Sequence, residues 1–256
     1  MTTEAKLRVE GVSLDFGNAE RSLRVLENVN LELRQGEFCT IVGPSGCGKS
    51  TLLNVIAGLT PPTEGASYLD GQVIAPGDPK IGYMFQSDTL LPWNTALENV
   101  RLPLEAVGRK DDGRCLDLLK RVGVGGFADA YPWQLSGGMK KRVQLARLLA
   151  QEPEVLLMDE PFGALDAQTK LLIQEELLRL WESTRLTVLF VTHDLSEAIC
   201  LSDRVLLFSA RPGRVKTEYS VPLERPRNIE TIVQDRQYNE LFVQLWRSLK
   251  EEIQLS

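Results

Sequence analysis

The eight residues Gly43-Pro44-Ser45-Gly46-Cys47-Gly48-Lys49-Ser50, followed by Thr51, satisfy the spacing G-x-x-x-x-G-K-[ST] of a loop that cradles phosphates. Glycines at these places let the backbone approach phosphate oxygens and take angles that a Cβ forbids. Successive N–H groups, with the N-terminus of a following helix, supply positive potential for an anion. In such a loop Lys49 reaches the β- and γ-phosphates and the Ser50 hydroxyl binds Mg²⁺. Two carboxylates, Asp159 and Glu160, follow the apolar run Val155-Leu156-Leu157-Met158. A carboxylate at a strand end can orient Mg²⁺, which suits Asp159. Glu160, next along, points differently and suits a general base for an attacking water, a role worth about 10²–10⁴ in rate. His193 is the only histidine in the chain and ends another apolar run, where it suits a γ-phosphate contact. Gln86 also ends a strand, with an amide able to touch both Mg²⁺ and the water. Phe16 has two readings: a filler of a β core, or a ring face offered to adenine.

These side chains need a scaffold that gathers them. Phe38-Cys39-Thr40-Ile41-Val42 reads as a buried strand before the loop, and Thr51-Leu52-Leu53-Asn54-Val55-Ile56-Ala57 as a helix after it. Thr187-Val188-Leu189-Phe190-Val191-Thr192 is a further buried strand, running into His193-Asp194. Continuous apolar strands alternating with helices indicate a mostly parallel sheet covered on both faces. Ligands of such sheets lie at the carboxyl ends of the strands. Upstream, Leu7-Arg8-Val9, Val12-Ser13-Leu14-Asp15-Phe16 and Val29-Asn30-Leu31-Glu32-Leu33 alternate with period two, predicting half-buried strands with turns at Gly17-Asn18 and Gln35-Gly36.

Helices dominate from residue 88 to residue 152. Thr95-Ala96-Leu97-Glu98 is a capping box, residues 111–122 carry Leu116, Leu119 and Val122 at helical spacing, and a third helix follows Leu135-Ser136-Gly137-Gly138. Residues 88–152 therefore read as a helical insert in an α/β body made of residues 1–87 and 153–225. Residues 226–256 form a helical extension with Tyr238, Leu241, Phe242, Leu245, Trp246, Leu249 and Ile253 on one face. That face packs on its own body or on a partner.

Composition narrows the function. The chain has 256 residues, 43% of them hydrophobic, enough for one large α/β domain or a core with a smaller lobe. The net charge of −6, with both signs mixed along the chain, argues against a nucleic-acid groove. No apolar stretch approaches the ~20 residues of a membrane span. Met1-Thr2-Thr3-Glu4-Ala5-Lys6 lacks the apolar core of a signal peptide, so a soluble, cytosolic chain is expected, joined to a membrane only through a partner. Cys39, Cys47, Cys115 and Cys200 form no close pair such as C-x-x-C, which argues against a disulfide framework or zinc site. Cys47 lies inside the phosphate loop as a small filler, and thiol alkylation is expected to inhibit nucleotide binding, with ATP protecting.

Leu135-Ser136-Gly137-Gly138-Met139 is a second glycine-rich helix N-terminus, about ninety residues after the first. One nucleotide has little use for two such loops in one subunit. A head-to-tail pair of subunits makes sense of both, each loop closing over the other's ATP.

In order, Phe16, residues 43–51, Gln86, Leu135-Ser136-Gly137-Gly138-Met139, Val155-Leu156-Leu157-Met158-Asp159-Glu160-Pro161, Gly163-Ala164-Leu165-Asp166 and His193 resemble the motif set of an ABC transporter ATPase subunit. The resemblance implies an α/β fold: a P-loop NTPase (RecA-like) core with an N-terminal antiparallel β subdomain and an inserted α-helical signature subdomain. It implies ATP and Mg²⁺ as cofactors, with Phe16 on adenine and Lys49 and the loop amides on the phosphates. Ser50 and Gln86 would ligate Mg²⁺ and Asp159 would orient it through water. Glu160 would be the catalytic base and His193 the γ-phosphate sensor. Ser136, Gly137 and Gly138 would grip the partner's ATP, and Asp166 would link the two sites.

The stretch Phe85-Gln86-Ser87-Asp88-Thr89-Leu90-Leu91-Pro92-Trp93 and Ala210-Arg211-Pro212-Gly213-Arg214-Val215 resemble ATPases of nitrate, sulfonate, taurine and bicarbonate importers. Lys140-Lys141 and Trp133 depart from that pattern, which has Arg-Gln and His there. Partners implied are transmembrane permease subunits, a second ATPase subunit (identical or a paralogue) and, through the permease, a periplasmic or lipoprotein solute-binding protein. The place implied is peripheral, on the cytoplasmic side of the cell membrane. Two rivals are a soluble ABC ATPase without a transporter and a P-loop kinase. The first lacks here the coiled-coil or zinc insertions, or the doubled cassette, of such proteins. Leu135-Ser136-Gly137-Gly138-Met139 and the Asp159-Glu160 pair disfavour the second.

Overall fold

The computed structural model describes residues 5–18 and 21–255, so Met1-Thr2-Thr3-Glu4 of the N-terminal stretch lies outside the described residues. The alternating N-terminal segments form β1 (Leu7–Asn18) and β2 (Arg21–Leu33), an antiparallel pair. Gly17 and Asn18 lie in the strand rather than in a turn, because the ladder continues through Gly17↔Ser22 to Asn18↔Arg21. Next come β3 (Phe38–Val42), α1 (Lys49–Ile56), β4 (Glu64–Leu69), β5 (Gln72–Val73) and β6 (Ile81–Met84). Three helices follow: α2 (Ala96–Ala106), α3 (Asp112–Arg121) and α4 (Gly137–Ala150). The chain then runs through β7 (Val155–Asp159), α5 (Ala167–Thr184), β8 (Thr187–Val191), α6 (Leu195–Leu201), β9 (Arg204–Phe208), β10 (Val215–Ser220), α7 (Ile229–Ile232) and α8 (Arg236–Leu255).

Two sheets result. A four-stranded antiparallel sheet has the order β2-β1-β4-β5, and a six-stranded sheet the order β10-β9-β3-β8-β7-β6. In the second, all pairs except β10–β9 are parallel. The wholly buried β3, β7 and β8 lie side by side at its centre. Alternate residues of each central strand enter two different cores. Cys39, Ile41, Leu157, Leu189 and Val191 pack with α1 and the antiparallel sheet. Phe38, Val42, Leu156, Met158, Val188 and Phe190 pack with the helical side of the molecule. The parallel sheet is thus a middle layer, and its carboxyl ends deliver Gly43, Asp159-Glu160 and the residues before His193 to one edge.

The helical stretch obeys local signals. Thr95 Oγ1 accepts from the Glu98 N–H at 3.2 Å and the Glu98 carboxylate accepts from the Thr95 N–H at 2.7 Å, closing the capping box. Asp111 caps α3 and Ser136 caps α4. The face of α8 is narrower than the sequence predicts. Tyr238, Leu241, Leu245 and Leu249 are buried against the body, whereas Trp246 and Ile253 are each 49% exposed. Phe242 is partly buried at the edge of the same core. The charged Glu252, 3% exposed, takes the place an apolar residue would hold, because its carboxylate accepts from the Ala210 N–H at 2.7 Å and meets Lys216. Among the described residues no helix is long and apolar enough to cross a membrane.

Asn99 pins the segment after Gln86 to α2. Its side chain is wholly buried, accepts from the Leu91 N–H at 2.8 Å and donates toward the carbonyls of Leu91, Asn94 and Thr95 at 3.0–3.1 Å. Substitution Asn99→Ala should cost about 2–4 kcal/mol through these orphaned main-chain groups, measured as a lower midpoint in urea unfolding.

Candidate nucleotide site

The phosphate loop leaves the carboxyl end of β3 and enters α1 at Lys49, two residues earlier than the sequence reading placed the helix. Gly46 (φ 73°) and Gly48 (φ 104°) hold left-handed backbone that only glycine adopts without strain. Gly43 is needed for space: a Cβ there would stand 2.9 Å from the Phe208 Cβ. Helix α1 has no side-chain cap and no acidic residue in its first turn, whereas α2, α4, α5 and α6 are capped by Thr95, Ser136, Asp166 and Asp194. Its first N–H groups are therefore open to an anion.

Lys49 supplies the charge. It is 6% exposed, and its ammonium donates to the carbonyls of Gly43 (2.9 Å) and Pro44 (2.8 Å). Among the described residues no carboxylate forms an ion pair with it. A buried ammonium held by two carbonyls and the Cys47 sulfur (3.9 Å) is short of an anion. Beside it opens a cleft of about 540 Å³ lined by Phe16, Leu23 and Val25, by Ser45, Gly46, Gly48, Lys49, Ser50 and Thr51 of the loop, and by Gln86, Glu160 and Arg211. Gly43, Pro44 and Cys47 are buried and are not part of this lining. Phe16 is 48% exposed on the cleft, which removes its reading as core filler. A larger cleft of about 730 Å³ lies around Arg34, Gly36, Glu37 and Arg204, beside the starts of β3 and β9, and holds none of the sequence-derived site residues.

The acidic groups converge from neighbouring strands. Ser50 Oγ donates to Asp159 Oδ1 at 2.9 Å. Asp159 is 6% exposed, and burial pushes its carboxyl above the usual range, with Glu160 adding to the rise and the Ser50 bond opposing it. Glu160 follows β7 with a left-handed φ of 42°, an unusual angle for a glutamate, which turns its side chain off the strand. Its Oε2 accepts from Gln86 Nε2 at 3.3 Å and lies 3.1 Å from His193 Nδ1. An ionised carboxylate only accepts, so Nδ1 carries the proton in that contact. The oxygens of Ser50, Asp159 and Gln86 suit a hard cation such as Mg²⁺. Among the described residues no three His, Cys, Asp or Glu side chains gather to hold a metal. The donor set thus fits an ion that keeps waters and phosphate oxygens as its other ligands.

Ser136, Gly137, Gly138 and Asp166 are absent from the lining of this cleft. Ser136 and Gly137 are exposed, Ser136 Oγ accepting from the Met139 N–H at 3.3 Å. Asp166 caps α5 through the Thr169 N–H at 3.0 Å. That bond, first among the backbone donors around it, holds the Asp166 carboxyl below its usual value.

Cys47 is 1% exposed and burial raises its thiol pKa, so alkylation must await opening of the loop. The other three cysteines are also free and buried. Two further residues escaped the sequence reading as site elements. Arg211 donates from Nε (3.1 Å) and Nη2 (2.8 Å) to the Gly46 carbonyl, bracing the loop from the end of β9. Lys141, one of the two lysines after the glycine turn, donates to the Gln86 carbonyl at 2.8 Å and so ties α4 to that segment. Neither contact has a local sequence signal, since the partners lie 165 and 55 residues apart.

The sequence profile of the ABC transporter family matches residues 26–163. The chain is 44% identical, over 89% of its length and 92% of the relative, to an aliphatic sulfonates import ATP-binding protein of Bacillus cereus. It is 45% identical, over 93% of its length and 87% of the relative, to a bicarbonate transport ATP-binding protein of Synechocystis sp.. A solved dimeric, post-hydrolysis structure of an ATP-binding cassette bound to ADP and Pi superposes with a TM-score of 0.75 at 38% identity, covering 85% of this chain and all of that one.

The raised Asp159 carboxyl gives a test of sign. A folded pKa above the unfolded value of 3.8 means that protonated Asp159 favours folding. That stability is complete below the unfolded value and lost as pH rises through the folded one. At pH 7, nucleotide-free Asp159→Asn should therefore melt above wild type, by about 2–4 °C for each kcal/mol relieved. The gap should close toward pH 4 in differential scanning calorimetry.

Proposed function

Since this chain belongs to the ABC transporter family as an ATP-hydrolysing subunit, we propose that two copies, or one copy and a paralogue, close on two ATP molecules to drive uptake of a small anion through a separate permease. The observation that carries the nucleotide reading is the buried Lys49 ammonium, without a carboxylate partner, at the uncapped start of α1. The import reading is supported by the sulfonate and bicarbonate relatives, whose names describe import or transport subunits. A solute-binding protein would reach this subunit only through the permease, at the cytoplasmic side of the membrane.

In this mechanism Phe16 stacks on adenine, and the loop amides with Lys49 hold the β- and γ-phosphates. Bound Mg²⁺, held by Ser50 and Gln86 and oriented by Asp159 through water, would neutralise phosphate charge. Glu160 accepts a proton from the attacking water. Gln86 and His193 both meet Glu160 Oε2, and His193 would contact the γ-phosphate. Ser136, Gly137 and Gly138 of the second copy complete the anion cradle, and Asp166 joins the two sites. Positioning and electrostatics do most of the work in such a transfer.

Glu160→Gln should bind ATP as wild type does, release phosphate at least about 100-fold more slowly and accumulate as an ATP-bound dimer. Phosphate release and light scattering measure this, and wild-type turnover would remove the base assignment. Lys49→Ala should lose ATP binding itself. Co-purification with a polytopic membrane protein checks the transporter reading.

A further inference from the structure

The first turns of α5 touch both halves of the proposed machinery. Thr169 and Ile173, one turn apart, face α4: a Cβ on Gly138 would stand 2.4 Å from Thr169 Cγ2 and 3.3 Å from Ile173 Cδ1. Glycine at 138 thus lets α5 seat directly under the Ser136 turn. Lys170 and Gln174, the next ridge round the helix, face the other way. The Lys170 ammonium lies 2.8 Å from Asp194 Oδ2 and 2.6 Å from Glu197 Oε1, and Gln174 Nε2 donates to the same Glu197 oxygen at 3.1 Å.

Those carboxylates grip the peptide on either side of His193. Thr192 Oγ1 donates to Glu197 Oε2 and accepts from the Asp194 N–H at 3.0 Å. Asp194 Oδ1 caps α6 through the Ser196 N–H at 2.8 Å. The far side of the cluster is interior, with Glu197 4%, Gln174 4% and Thr192 2% exposed, while Lys170 and Asp194 are partly buried at its mouth, their side chains 21% and 33% exposed. A solvated surface pair would hold nothing in place. Here one ammonium joins α5 to both flanks of the histidine loop, while the neighbouring ridge of α5 seats the glycine turn.

We propose that Lys170 is a positioning residue that fixes His193 relative to the Ser136-Gly137-Gly138 turn, so that closure of this turn on a partner's nucleotide is felt at the chain's own γ-phosphate contact. The proposal rests on the dimeric ATPase reading for its consequence, but its geometry stands in a single chain. Removing Lys170 alone strands the buried Glu197 charge, so the informative variant is Lys170→Met combined with Glu197→Gln, which leaves no charge orphaned in the interior and retains an amide toward Thr192 and Gln174; Asp194, one third exposed, keeps solvent and its cap on α6.

His193 is the sole histidine, so ¹⁵N-histidine labelling of tag-free protein gives one imidazole spin system. In the double variant the ATP dissociation constant of the monomer should stay within about twofold, kcat should fall about tenfold or more, and the His193 signals should shift or double. Lys170→Arg, which preserves the two-carboxylate contact, should retain most of kcat and the wild-type signals. Unchanged kcat and unchanged His193 signals in a folded double variant would overturn the proposal. So would a parallel loss of ATP affinity and kcat that leaves the His193 signals in place. If wild type itself hydrolyses no ATP, the ATPase reading falls, and the His193 signals alone still decide whether Lys170 positions that loop.

Discussion

Glu160 Oε2 accepts from Gln86 and lies within hydrogen-bond reach of His193, residues 74 and 33 positions away in the chain. No local segment can make that meeting. It depends on β6, β7 and β8 lying side by side and parallel, which places the three carboxyl ends in one row. The parallel order in turn requires helical crossovers covering the sheet, and hence strands apolar on both faces. The left-handed turn at Glu160 completes the arrangement, lifting one carboxylate out of the strand while Asp159 remains buried toward Ser50. A strand that simply continued would send successive side chains to opposite faces.

Two buried charges sit close to this row, and neither is there for stability. Lys49 is held by neutral groups, two carbonyls and the Cys47 sulfur, and the Asp159 carboxyl is raised by its burial. Burial of unpaired charge costs free energy unless a complementary charge arrives. A triphosphate with a divalent cation is such a complement: phosphate oxygens answer the ammonium, and the cation answers the carboxylate. The same logic explains why α1, unlike the capped helices after it, has neither a capping side chain nor an acid in its first turn. A carboxylate there would satisfy the helix in advance and compete with the ligand.

Much of this was legible because it is written locally. The loop spacing, the three continuous apolar strands, the Thr95–Glu98 box and the Ser136 cap are each decided within a few residues. The end of a parallel strand is a defined place, so Gln86, Glu160 and His193 could be expected at one edge before their partners were known. The period of two marked strand segments within β1 and β2, but it put a turn at Gly17-Asn18 and left residues 21–28 unread, where the ladder in fact runs on. What escaped the sequence was set by distance. Arg211 meets Gly46 across 165 residues, and Lys170 meets Asp194 across 24. The α8 face was misjudged because helical periodicity counts apolar residues and says nothing of what they meet. Glu252 is buried by a main-chain N–H and a lysine from outside the helix, and the stripe turns away from Trp246 accordingly.

The glycine turn before α4 separates what one chain explains from what it does not. Ser136 is accounted for as a cap, and Gly138 by the approach of Thr169. Gly137 has neither reason. It is exposed, its φ lies outside the left-handed region, and a Cβ there would meet only Leu165 Cδ2 at an ordinary 3.5 Å. Alanine at a helical position is favoured over glycine by up to about 1 kcal/mol, so the fold of the single chain gains nothing from glycine here. The remaining use of a missing Cβ is close approach of the backbone to something outside the chain. The turn is absent from its own chain's nucleotide cleft, so its exposed backbone is left free for the second molecule that the proposed pair of subunits would supply.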